Sequence, residues 1–270
     1  MLEIQPWVKT ILAHPMTKQP AKLDSFLCVG GVIDARVRLR NTYGYSAWVE
    51  GQDGFERWAR KDTTTVDGYK AEIEYDRPVY EYYRLHGRIL DCGGGAGTVR
   101  EFLPNDLEFV STDPWLQAPF ANSPARKEAY SCLNRPLNFI AAMAEFQPFA
   151  SESFDWVHMR SMLDHVQVPD LVLLEARRVL RTNGHLLIGL YVDGGKSGIL
   201  PMKRRIKDLV KAGLAFVGIN RWKDHHLRHP SYQSLLSLIV DNGFSIEDTY
   251  WQPHWQDTVC YICARKPNGP

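Results

Sequence analysis

The run Ile89-Leu90-Asp91-Cys92-Gly93-Gly94-Gly95-Ala96-Gly97-Thr98 decides the fold of this chain. Two apolar residues lead into an acid, and four glycines follow within five positions. The pattern predicts a strand over Arg88–Asp91, a loop of nearly bare backbone, and a helix over Thr98–Leu103 closed by Pro104. Glycines there let the backbone turn sharply and approach a ligand closely. The exposed N–H groups at the helix start attract a negatively charged group.

Outward from this run, apolar segments alternate as they do in a parallel sheet with crossover helices. Strands are expected at Leu107–Asp113, around Leu137–Ala142, at Phe154–Met159 and at His185–Val192. A helix is expected over Asp170–Arg181, where Leu171, Leu174, Ala176, Val179 and Leu180 follow a helical spacing, and Asn183-Gly184 reads as a stop. Beyond Asp193-Gly194-Gly195 the character changes. Met202–Phe216 reads as a basic amphipathic helix whose lysines and arginines form a solvated face. Tyr232–Val240 reads as a helix, and Phe244–Trp251 and Thr258–Arg265 as two strands. Upstream, Tyr69–Tyr83 reads as a helix leading towards the first strand.

Composition bounds the function. The chain has 270 residues, is 44% hydrophobic and 23% charged, and carries a formal net charge of +1. It is long enough to bury a sizeable core, and it offers no global basic field to favour nucleic acid. No stretch approaches the roughly 20 apolar residues of a membrane span, and no signal peptide is evident. The five cysteines, at 28, 92, 132, 260 and 263, form no disulfide framework, which favours a reducing, cytoplasmic setting. Cys260 and Cys263 have CxxC spacing but lie in a β-patterned run, so they are expected on opposite faces.

The glycine run resembles motif I of class I S-adenosylmethionine-dependent methyltransferases, the D/E-x-G-x-G-x-G pattern. Nicotinamide dinucleotide enzymes use the same loop physics, but Asp91 and the terminal strand pair set this chain apart from them. Ala144-Glu145-Phe146-Gln147-Pro148-Phe149 followed by Ser153-Phe154-Asp155-Trp156-Val157 resembles the family's D-A-E-x-L-P-F…F-D-x-V stretch, with Met143 replacing the adenine-facing Asp. Leu163–Val166, Glu175–Gly184 and Leu186–Tyr191 are similar to its next motifs, in the manner of the type 11 methyltransferases. At the N-terminus, Leu12–Pro20 and Phe26–Asp34 distantly resemble zinc-ribbon modules related to Trm112. His14 and Thr17 stand where those modules have cysteines, and structural zinc is not expected.

The resemblance implies an α/β fold, with a doubly wound, Rossmann-like seven-stranded sheet ending in an antiparallel strand pair. It divides the chain into an N-terminal extension or cap (1–68), a cofactor-binding core (69–195), a helical insert (196–230) and a C-terminal helix and strand pair (231–270), and it makes the Tyr69–Tyr83 helix a cap over the cofactor. The cofactor implied is S-adenosyl-L-methionine, held by Asp91, Gly93, Gly94, Gly95, Gly97, Asp113, Pro114, Trp115, Ala144, Glu145 and Arg160. Asp113 falls where the family places an acid on the ribose hydroxyls; capping the loop before Pro114 is the plainer alternative. Trp115 is a candidate to stack on adenine or to fill the core. Glu145 or a backbone carbonyl would meet the adenine amino group. Arg160 could also steer an anionic acceptor or pair with a core carboxylate.

His165, with Asp164 beside it, is the candidate general base; packing or capping the next helix is the alternative. The segments Asp224–His229 and Tyr250–Asp257 offer histidines and acids without a ligand spacing, so no metal is expected. Aromatic and polar residues in the second are read as contacts for a ring-shaped acceptor. The expected reaction is methyl transfer to a small polar acceptor, most readily a hydroxyl of a sugar or secondary metabolite, by a soluble protein that could form a homodimer. The alternatives are a methyltransferase acting on RNA or a translation factor, and a non-catalytic binding protein of the same fold.

Overall fold

The computed structural model describes residues 2–40, 44–199 and 226–268. The helices are α1 (Pro6–Thr10), α2 (Tyr45–Arg60), α3 (Val66–Tyr83), α4 (Pro124–Ala129), α5 (Pro169–Val179) and α6 (Tyr232–Asp241). The strands are β1 (Leu27–Val29), β2 (Val32–Asp34), β3 (Arg88–Cys92), β4 (Glu108–Asp113), β5 (Asn138–Ala141), β6 (Phe154–Arg160), β7 (Leu180–Tyr191), β8 (Ser245–Trp251) and β9 (Val259–Arg265). The predicted basic helix over 202–216 lies outside the described residues.

Strands from the described residues form one sheet in the order β1-β2-β5-β4-β3-β6-β7-β9-β8. The central strands β5, β4, β3, β6 and β7 run parallel, and β9 and β8 complete the edge in antiparallel fashion. These are the seven expected strands. The order reverses between β3 and β6, and such a switch point opens a crevice at the carboxyl ends of the strands.

Adjacent residues on the central strands divide between two cores, one on each side of the sheet. Leu90, Val110, Ile140, Val157, Ile188 and Ile262 pack on one side; Ile89, Phe109, Phe139, Trp156, Leu187 and Tyr261 pack on the other. Near-continuous apolar runs are what a sheet covered on both faces demands. Cys260 and Cys263 fall in opposite cores, as the strand period requires.

The N-terminal extension continues this sheet. β2 pairs in parallel with β5, Ile33 opposite Ile140, and β1 adds an antiparallel edge. Three local readings change. The helix expected over Thr98–Leu103 is a 3-10 turn, Thr98–Phe102, because Pro104 leaves too little chain for a longer helix. Asn183-Gly184 does not end an element but lies inside β7. Asn183 takes a left-handed φ of 64° there, and residues 181–184 bulge between the pairs Phe154–Leu180 and Trp156–His185. On α5 the buried stripe is Val172, Leu173, Ala176 and Val179, while Leu174 is exposed.

Candidate active site

The loop after β3 is built around close approach. Gly94 rests on the Asp91 side chain: a Cβ there would overlap the carboxylate and come within 2.7 Å of Ser111 Oγ. Gly95 adopts a left-handed φ of 53°, and a Cβ there would meet nothing nearer than Asp113 Oδ2 at 4.0 Å. Its bare face therefore opens on the crevice. Gly93 donates its N–H to Thr112 O (2.7 Å), tying the loop to β4. Gly97 turns inward, packing on Leu137 and Phe109.

Asp91 is buried, and its Oδ1 lies 2.7 Å from His158 Nδ1. The other ring nitrogen of His158 lies 3.1 Å from the hydroxyl of Tyr80 on α3. At the end of β4, Asp113 accepts two backbone N–H groups, from Gly95 on Oδ2 (3.2 Å) and from Trp115 on Oδ1 (2.8 Å). Burial pushes its carboxyl up to about 6, against these two hydrogen bonds and with help from the nearby charges of Asp91 and Glu56.

A cavity of about 450 Å³ spreads over these strand ends, within the range of small-molecule sites. Among the candidate residues, Asp91, Gly93, Gly94, Gly95, Asp113, Pro114, Trp115, Ala144, Glu145, Arg160 and His165 line it. Gly97 faces the core instead, and Asp164 is buried behind His165. Met143 also lines the cavity where the family's acid would stand.

Several of these side chains are also committed to the protein. Glu145 Oε1 accepts the N–H groups of Gln167 (3.0 Å) and Val168 (3.3 Å), bracing the loop after β6. Arg160 Nη2 pairs with the buried Asp76 of α3 at 2.6 Å, the core-carboxylate partner that its sequence position allowed. His165 Nε2 lies 3.7 Å from Asp164 Oδ1, beyond hydrogen-bond range. The His165 ring meets Phe55 edge-on, with centroids 4.6 Å apart.

The outer wall comes from α2, which the sequence did not single out. Trp48, Gln52, Phe55 and Glu56 line the cavity from that helix. The expected cap over 69–83 forms as α3, but it supports the site from behind through Asp76 and Tyr80. The Tyr250–Asp257 stretch, read as an acceptor contact, packs on α3 instead. His254 stacks on Tyr75 with ring centroids 3.3 Å apart, and Gln252 donates to Asp76 Oδ1 (3.1 Å). Arg36 was also missed: paired with Asp34 of β2, it donates to the Pro114 carbonyl (3.1 Å) and pins the loop after β4.

The donor set suits S-adenosylmethionine. The bare Gly95 backbone opens beside a half-buried carboxylate that can accept a diol, and the cavity continues past Met143 and Ala144 towards His165. Comparisons with known proteins agree. Residues 90–188 match the family model described as a methyltransferase domain. Comparison with curated proteins gives no match.

Among solved structures, a SAM-dependent methyltransferase from Thermotoga maritima is similar at 18% identity and TM-score 0.50, over 82% of this chain and 99% of that one. The 1,6-didemethyltoxoflavin N1-methyltransferase of Burkholderia thailandensis, solved with that compound and S-adenosylhomocysteine, is similar at 15% identity and TM-score 0.51, over 90% and 98%. A complex of the Trm112 methyltransferase activator of Haloferax volcanii with a methyltransferase is similar at 14% identity and TM-score 0.51, over 79% and 98%. These likenesses are of fold. The matched segment, which carries the glycine loop and Asp113, is a class I S-adenosylmethionine-dependent methyltransferase domain whose cofactor is S-adenosylmethionine.

Proposed function

We propose that the protein transfers the methyl group of S-adenosylmethionine to a small polar acceptor, a hydroxyl of a sugar or secondary metabolite. The observation that carries this reading is the continuity of one cavity from Asp113 and Gly95 to His165, with α2 closing its outer side. A bound cofactor supplies an activated methyl group, so the protein's own task is placement. Asp113 accepts the ribose hydroxyls, Gly93–Gly95 present bare backbone to the methionyl part, and Trp115, Met143 and Ala144 flank the adenine. Phe55 and His165 bound the remaining space, which excludes water and holds the acceptor. His165 takes the acceptor's proton, with Asp164 behind it.

Incubation with methyl-labelled cofactor and a panel of hydroxylated acceptors, with label followed into product, tests the reading. Transfer that His165→Ala lowers by about a hundredfold, within the usual span for a general base, supports it. Cofactor binding without transfer to any small acceptor, together with transfer to RNA or protein, would move the assignment to a macromolecular substrate.

A further inference from the structure

Asp164 and His226, from two separate parts of the chain, converge on His165, which lines the cavity. Their ligand-type atoms all lie within 4.8 Å of one another. His165 Nε2 is 3.7 Å from Asp164 Oδ1, and His226 Nε2 is 3.6 Å from Asp164 Oδ2. The two imidazole centroids are 4.5 Å apart. These separations are too long for hydrogen bonds. They are near the spacing of about 3.4 Å between donor atoms held about 2.1 Å from one tetrahedral ion.

A second observation points the same way. Asp164 Oδ1 is buried and accepts no hydrogen bond from any described residue. A buried carboxylate oxygen left so is costly unless something positive meets it.

The arrangement is also braced. Leu227 and Arg228 donate their N–H groups to the Asp164 carbonyl (2.9 and 3.2 Å), which fixes His226 beside it. The Arg228 guanidinium then clasps the carbonyls of Val166 (2.6 Å) and Gln167 (2.8 Å). Glu145 holds the same loop from the other side through Gln167 and Val168. Two segments far apart in sequence are thus locked together where the three side chains meet, as an outer shell does around a metal centre.

We propose that Asp164, His165 and His226 bind a divalent first-row transition ion beside the point where His165 lines the cavity. Two imidazoles and one carboxylate favour zinc, cobalt, nickel or iron over calcium or magnesium. Three protein ligands leave coordination positions for a substrate oxygen. Coordination would use the His165 nitrogen, so with an ion bound the acceptor hydroxyl would lose its proton through the ion's charge instead of to the ring. Ion binding can be measured by itself, and the role of the ion towards the acceptor rests on the methyl-transfer reading.

The test is titration of the tag-free, metal-stripped full chain with Co²⁺, followed by visible absorption. One saturable equivalent is expected. His226→Ala and Asp164→Asn should each weaken it by at least about tenfold, the loss that removing even an outer-shell partner causes. His86→Ala, remote from the cluster, should leave the titration unchanged. No saturable band, or one that survives both ligand substitutions in variants shown to be folded by circular dichroism, overturns the site. S-adenosylhomocysteine binding, measured on the same samples, reports the cofactor site separately.

Discussion

His158 Nδ1 and Asp91 Oδ1 lie 2.7 Å apart, both residues buried beneath the glycine loop. The pairing gives each ring nitrogen a role. With Nδ1–H donated to the carboxylate, Nε2 is left to accept the Tyr80 hydroxyl, an assignment inferred from the partners. Three elements are joined in this way: α3 through Tyr80, β6 through His158, and β3 through Asp91. The same carboxylate underlies Gly94, so the network sets the height of the loop that meets the cofactor.

Removing His158 should therefore damage both stability and binding. His158→Ala leaves Asp91 buried without its partner and should cost about 3 kcal/mol, whereas Tyr80→Phe should cost about 1 kcal/mol. Urea unfolding measures both. Calorimetry with S-adenosylhomocysteine should show a several-fold weaker Kd for His158→Ala than for Tyr80→Phe. Equal affinity in the two variants would mean that Asp91 keeps the loop in place unaided.

Asp113 makes cofactor binding depend on pH. Its carboxyl is pushed up to about 6 by burial, so it gains its full charge only towards neutral pH. A ribose diol donates to the ionised form, so S-adenosylhomocysteine affinity should be flat above about pH 7. It should fall by up to tenfold per pH unit below about pH 6. The sign for the unliganded protein is the opposite. The folded pKa lies above the unfolded value of 3.8, so protonated Asp113 favours the fold, and stability from this group declines as pH rises from 3.8 to about 6. Asp113→Asn should weaken binding at pH 7.5 and flatten the pH profile. An unchanged profile in that variant would assign the titration to another group.

Gly94 should tolerate no side chain. A methyl group would overlap the Asp91 carboxylate and crowd Ser111 Oγ at 2.7 Å, so Gly94→Ala must push the loop or the acid aside. Overpacking of this kind costs about 1–3 kcal/mol. The loss should appear as a lowered Tm and as failure of S-adenosylhomocysteine to raise it. Gly95→Ala meets open space but forces an L residue to a φ of 53°, so its loss of stability should come from backbone strain alone.

Much of the fold was legible because its signals are local. Asp91 and the glycines mark the end of β3, and Asp113-Pro114 marks the end of β4. Paired neighbours such as Ile89/Leu90 and Phe109/Val110 give a strand covered on both faces. Period-two geometry alone separates Cys260 from Cys263. The features that were missed depend on contacts between distant segments. No local pattern announces that α2 would form the outer wall, or that His226 would meet Asp164 and His165. The aromatic tail misled for the same reason. Tyr250, Gln252 and His254 suit a ring-shaped ligand by composition, yet helix α3 takes them up. Asn183-Gly184 carries the local signature of a stop, but Lys266 holds it within the sheet: Asn183 N–H donates to Lys266 O, and Lys266 N–H donates to Gly184 O.

The Arg160–Asp76 pair separates a structural role from a binding role at the cavity wall. Asp76 is buried, and it receives Arg160 at 2.6 Å and Gln252 at 3.1 Å, joining α3, β6 and the loop after β8. Arg160→Met removes the cation and leaves the carboxylate desolvated. Breaking a fully buried pair costs about 3–5 kcal/mol, and the partial exposure of the Arg160 side chain reduces the expected loss to about 2 kcal/mol. Asp76→Asn should cost less, because Arg160 can turn towards the solvent-accessible cavity. The double variant Asp76→Asn/Arg160→Met should recover most of the stability lost by Arg160→Met, since no unpaired charge remains. If Arg160 also holds the cofactor or an anionic acceptor, binding will stay weak in the double variant while unfolding returns towards the wild-type midpoint. If both recover together, Arg160 serves only to hold α3 against the sheet.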